Sequence, residues 1–202
     1  MGRGQAYTLE GFIAALIVAS SVLVGLQAVD TTPWTASGDD IGAEGRQVEA
    51  QDLLAVAAER GALDTAVRCV DGSGQPYPRI ASEPIDGVEN TTAFGPMLNG
   101  SFATRGFDYR VSFSYLDGAG GRATTVVEGE DAVTDGQVVT ASRTVVLTDS
   151  MASYERDGAT GACVPRGETL SADSDHYVPD ARSGPVYNVV EVRVEVWAEG
   201  SN

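Results

Sequence analysis

Lysine is absent from this 202-residue chain: all 13 basic residues are arginine, set against 29 Asp plus Glu for a formal net charge of −16. That balance excludes a nucleic-acid surface, which needs a basic patch to displace counterions from phosphate. It also argues against docking on anionic lipid head groups. Histidine occurs once, at His176, and no Gly-x-Ser-x-Gly elbow accompanies it, so no nucleophile–base pair can be assembled from the sequence. Cysteine occurs twice, at Cys69 and Cys163, outside any Cys-x-x-Cys spacing. Two Cys and one His are too few soft ligands for a structural zinc site. Long apolar runs are equally scarce, and only residues 11–29 form one.

The acidity has two readings, adaptation to concentrated salt or an acidic binding tract. Around 1 M salt the Debye length falls to about 3 Å, so self-repulsion is screened and the charge serves solubility. Abundant Asp and Glu, missing Lys and a predominance of Val and Ala among the apolar residues resemble a halophile's proteome, which favours the first reading.

Residues 11–29 carry no charge and are long enough to cross the hydrocarbon core of a bilayer as a helix. Phe12, Ile13, Leu16, Ile17, Val18, Val22, Leu23, Val24, Leu26 and Val29 together contribute roughly −3 to −6 kcal/mol on the insertion scale. Arg3 precedes the block, whereas Asp30, Asp39, Asp40 and Glu44 follow it. The positive-inside bias therefore leaves the N-terminus in the cytoplasm and the rest outside, with Trp34 near the outer interface. The competing reading is a cleaved secretory signal, but Leu26-Gln27-Ala28 lacks the small-x-small signature and the apolar run is too long. Either reading exports the remainder, which is enough chain for one domain.

Arg3-Gly4, then Gln5, then Glu10 just before the apolar block resembles the start of archaeal type IV pilin-like precursors, over about the first 30 residues. The layout as a whole is similar to that of small haloarchaeal exported proteins with a β-rich domain. The resemblance implies peptidase cleavage after Gly4, Gln5 as the new terminus, and Glu10 pairing with a neighbouring subunit's terminal amine. Glu10 would be the sixth mature residue, one further than in the pilin pattern. A plain N-in signal anchor is the alternative.

The predicted organisation is a cytoplasmic N-terminus or leader (1–10), a transmembrane helix (11–29), a linker (30–40) and an extracellular domain (41–202). Ser37 with Asp39 and Asp40 can cap a second helix, running to about Leu63 with Ala50, Leu53, Leu54, Ala57 and Ala58 on one stripe. Cys69–Asn90 reads as a Gly- and Pro-rich connector. Strands are expected over 107–115, 122–127, 138–148 and 186–198, the last with Val190, Val192, Val194 and Val196 on one face. Ser150–Pro185 reads as a long loop. The fold class is α+β: an amphipathic helix packed on an antiparallel β-sheet of about four to six strands, a pilin-like arrangement. In an exported domain a Cys69–Cys163 disulfide is the natural assignment, with two buried free thiols the alternative.

Candidate sites are few. Gly118-Ala119-Gly120-Gly121-Arg122-Ala123 matches the dinucleotide fingerprint formally, but a strand and not a helix follows, so it is a hairpin turn. Asp71-Gly72-Ser73-Gly74-Gln75 opens like a calcium loop, but lacks the sixth-position Gly and twelfth-position Glu. Asp173, Asp175 and Asp180 surround His176 and are weak candidates for a divalent ion, against a solvated loop as the simpler reading. Asn90-Thr91-Thr92 and Asn99-Gly100-Ser101 are glycosylation sequons in a predicted loop. No cofactor is implied. The function expected is that of a non-enzymatic, single-pass surface protein, a minor pilin-like subunit or assembly partner. Its partners would be the lipid bilayer through 11–29 and other pilin-like subunits or a pilus assembly platform. The alternative is a signal-anchored binding module taking an ion or ligand around His176, and an anchored hydrolase is the weakest reading.

Overall fold

The computed structural model describes residues 38–76, 94–129, 137–159 and 162–198, in which the helices come first and most of the strands follow. Helix α1 (Gly38–Glu59) is followed by α2 (Ala62–Arg68), strand β1 (Cys69–Val70) and helix α3 (Phe94–Ser101). Strands β2 (Phe107–Leu116), β3 (Arg122–Glu128), β4 (Val139–Thr148), β5 (Ala152–Arg156), β6 (Cys163–Thr169) and β7 (Val186–Ala198) complete the order. Two 3-10 turns, Ala103–Arg105 and Leu170–Ala172, precede β2 and follow β6. Gly42–Asn202 clusters as one compact unit. The predicted membrane helix lies outside the described residues, and among these no helix is long and apolar enough to cross a membrane.

Strands β2, β3, β4 and β7 form a four-stranded antiparallel sheet in the order β3-β2-β7-β4. Alternation along the strands turns one face to the core. Val190, Val192, Val194 and Val196 on β7 are fully buried, with Val111 and Phe113 of β2 opposite Val194 and Val192. Val145 and Ala141 of β4 flank the same row from the other side. Ala50, Leu53, Leu54 and Ala57 of α1 join this cluster, as do Leu63 and Val67 of α2 and Phe94 and Leu98 of α3. The Arg46 guanidinium lies 5.4 Å from the Phe107 ring centre, at the rim of this core. The α+β class and the antiparallel sheet thus hold as expected.

Three local expectations are corrected. The helix does not run unbroken to Leu63: it stops at Glu59, because Gly61 adopts φ 71 and its amide donates to the Ala58 carbonyl at 3.0 Å. Glycine takes this left-handed helix exit without the Cβ penalty, and a second short helix follows. Residues 94–101 are helical, where the Asn99-Gly100-Ser101 sequon was expected in a loop. Pro96 stands in the first turn, where its missing N–H costs nothing, and Phe94 and Leu98 are buried four residues apart.

The 150–185 stretch is no plain loop. It contributes β5 and β6, which form a second sheet in the order β1-β5-β6, with β1 parallel to β5 and β6 antiparallel to it. Cys69 and Cys163 are disulfide-bonded, with Cα atoms 5.9 Å apart, tying β1 to β6. The two cysteines stand 94 residues apart in sequence. In the chain-entropy account, closing such a loop stabilises by about 4–5 kcal/mol. The Cys69→Ala/Cys163→Ala chain is expected to lose about that much in denaturant unfolding, and a loss near zero contradicts the account.

Candidate functional site

The one histidine and its acidic neighbours lie between the 3-10 turn at Leu170–Ala172 and β7, beside the Asp71–Gln75 turn that follows β1. Asp173 is 5% exposed. Its carboxylate accepts from the Ser153 hydroxyl, from Arg166 Nη1 at 2.8 Å and from the Asp175 amide at 3.1 Å. Arg166 also reaches Glu168 at 3.4 Å and Glu155 at 3.6 Å, so one guanidinium gathers three carboxylates. Burial by itself would raise the Asp173 carboxyl, but the Ser153 and Asp175 hydrogen bonds, with Arg166, outweigh it and hold the group below its ordinary value.

His176 is 7% exposed and stacks on Tyr177 with ring centres 4.9 Å apart, while Tyr187 meets it edge-on at 6.4 Å. The Val178 amide donates to Nδ1 at 3.2 Å, and buried Nε2 makes no hydrogen bond. Burial pushes the ring below the usual imidazole value, though Val178 and the Asp173 charge pull the other way. The Tyr177 hydroxyl donates to the Val67 carbonyl at 2.7 Å, and that of Tyr187 to the Val178 carbonyl at 2.8 Å. Burial, with the Asp180 charge next, pushes Tyr187 up to about 12. Fully buried Asn188 clamps the segment to the sheet. Its Nδ2 donates to the carbonyls of Leu116 (2.9 Å) and Pro179 (2.8 Å). The segment also presses on the β1 turn: a Cβ on Gly74, at φ 79, would fall 2.0 Å from the Asp175 carbonyl oxygen.

The candidate metal residues are therefore neighbours in sequence that diverge in space. Asp173 turns inward to Arg166, whereas Asp175 and Asp180 are exposed, and Asp180 accepts from the Arg182 amide at 3.3 Å. Among the described residues no group of three or more His, Cys, Asp or Glu is placed to hold a metal ion. Ser153, Asp173 and His176 do come together, but in an order unlike a hydrolase triad. The serine hydroxyl donates to the aspartate, and the histidine ring bonds to backbone. Sequence reasoning missed Ser153, Arg166, Tyr187 and Asn188. The apolar Tyr177-Val178 next to His176 was the available signal that the segment is buried.

The remaining candidates resolve simply. Asp117 accepts from the amides of Ala119 (2.9 Å) and Gly121 (2.8 Å), which makes the glycine run the β2–β3 hairpin turn. Asp71 accepts from the Ser73 and Gln75 amides, a closed turn of its own. Asn99 lies half-exposed in α3 and not in a loop, which corrects the expected setting of that sequon. Arg3, Gly4, Gln5, Glu10 and Asn90 lie outside the described residues. An open groove of about 330 Å³ runs beside α1, lined by Glu49, Asp52, Leu53, Val56, Arg60, Met97 and Ser101.

The chain belongs to the family of unknown function DUF7288, whose model matches residues 3–196. No curated protein and no solved structure matches it.

Two outcomes follow from the buried histidine and aspartate. Unfolded His176 binds a proton near pH 6.5, whereas the folded ring binds it only at lower pH. The unfolded state then holds more protons, so stability is expected to fall as pH drops below about 6.5 and to level off below the folded value. His176→Asn flattens this slope in urea unfolding at pH 7 and pH 5; an unchanged slope contradicts the assignment. Asp173→Ala is expected to cost about 2–3 kcal/mol in the same assay, at or below the low end for a broken buried pair because Arg166 retains Glu155 and Glu168.

Proposed function

We propose that the protein is a single-pass, membrane-anchored extracellular structural or interaction protein, a minor pilin-like subunit or assembly partner of a type IV pilus-like system. Residues 11–29 sit in the bilayer, the N-terminus is cytoplasmic, and the two-sheet domain is displayed outside. It carries out no catalysis. The observation that carries this reading is the extent of the family match. It begins at residue 3 and takes in the uncharged block at 11–29 together with the folded domain. The family model thus spans this segment as well as the folded domain.

Two further features support the reading. The Cys69–Cys163 disulfide suits an oxidising compartment outside the cytoplasm. The buried contacts of His176, Asp173 and Ser153 serve packing, which is what a display or assembly domain needs. The pilin part rests on the resemblance of Arg3-Gly4-Gln5 and Glu10 to a prepilin start. No observation favours the ion-binding module, since Asp173 spends its oxygens on Arg166, Ser153 and the Asp175 amide.

Mass spectrometry of the N-terminus from host membranes tests the reading. The mature chain is expected to begin at Gln5, and Gly4→Val or loss of the prepilin peptidase should leave residues 1–4 attached. A chain beginning at Met1 or Gly2, unaltered in the peptidase deletion, removes the pilin-like assignment.

A further inference from the structure

The two edges of the four-stranded sheet are built differently. The β3 edge is short, starts and ends on charged residues (Arg122, Glu128), and has a register break where Val111/Ser112 of β2 face it. Such features blunt an edge against further pairing. The β4 edge has ten residues, its only register break lies at Leu147/Thr148, and among the described residues it pairs with β7 alone. Residues 138–148 contain neither Asp nor Glu in a chain of net charge −16, and no Pro or Gly. Arg143 is the one charge, and it makes no ion pair among the described residues.

The edge is also its own complement. Residues 138–146 read Val-Val-Thr-Ala-Ser-Arg-Thr-Val-Val, identical in both directions except for Ala141 and Arg143. On the face away from the core, Val138 is 38% and Val146 49% exposed, two of the five large apolar side chains exposed among the described residues, and they stand symmetrically about Ser142. Thr140, Ser142 and Thr144 between them are exposed as well.

We propose that β4 is a self-association edge, on which β4 of a second copy adds antiparallel about a two-fold axis at Ser142. The two four-stranded sheets then become one of eight strands. In that register Val138 of each copy stands opposite Val146 of the other, and Thr140 opposite Thr144. Directly opposed pairs of these kinds are what stabilise antiparallel ladders. Arg143 falls opposite Ala141, so the two guanidinium groups are offset, not opposed. A two-fold contact requires the same patch on both partners, and the palindrome supplies it. In a chain of net charge −16, carboxylates brought face to face on two copies repel; this edge presents none. One strand pair buries less than the roughly 800 Å² per partner of a standard stable interface, so the contact is reversible and best detected by trapping. The inference does not rest on the anchor or on the pilin-like reading.

The trap is Ser142→Cys in the purified full-length chain, held in molar salt and mildly oxidised. Opposed residues of an antiparallel pair bring their Cβ atoms within disulfide reach. Most of the chain is expected to shift to a reducible species of twice the mass on a non-reducing gel, severalfold more than with Thr124→Cys at the β3 edge. Adding Val146→Lys, or Thr140→Lys as a second exposed block, should abolish that species. The proposal is overturned if Ser142→Cys yields no more dimer than Thr124→Cys, or if neither lysine diminishes it.

Discussion

Everything in the described fold leans on the valine row of β7. Val190, Val192, Val194 and Val196 are fully buried, and each side of the strand is paired for most of its length, to β2 and to β4. The strand is thus the one element that both organises the sheet and fills the core under it. Its β-branched side chains are stiff, which suits a pleated surface packed against helices. Glu191, Arg193 and Glu195 on the opposite face keep that surface polar, and Glu191 holds Arg122 of β3 at 3.5 Å across the sheet. Because the side-chain period is two, a one-residue slip would expose the whole row, so the register is strongly specified.

The second sheet has no comparable apolar content. Its strands are short, one is only two residues, and polar contacts and a covalent bond do what burial does elsewhere. Arg166 ties β6 to β5 and to the segment after the 3-10 turn, and the disulfide ties β6 to β1. The segment carrying His176 closes the space between the sheets by stacking aromatic rings and donating hydroxyls to the backbone. Its acidity is the surface of a packed element. In this element a carboxylate pairs with the Arg166 guanidinium and a buried imidazole stacks on Tyr177.

What was legible follows from these differences. Strands β2, β4 and β7 could be read because one face is buried and the other wet, which writes alternation directly into the sequence. Helix α1 could be read from its Ala and Leu stripe, but its end could not, since Ala62 and Leu63 continue the apolar pattern past the turn at Gly61. Strands β5 and β6 escaped because Ser153 is the buried residue of β5, while Pro165 and Gly167 interrupt β6. β1 is defined by its partners and the disulfide, which no local pattern encodes. In the same way, the composition around His176 suggested a solvated loop, whereas Tyr177, Tyr187 and Asn188 bury it through contacts remote in sequence.

The Cys69–Cys163 disulfide suits an oxidising setting and the net charge of −16 suits concentrated salt, and both accord with the proposed display outside a membrane. Protease shaving of intact cells tests that placement most directly. The account predicts that protease added outside removes the domain, leaving a membrane-retained stub that contains residues 11–29. A full-length chain that survives shaving and is digested only after lysis would contradict it.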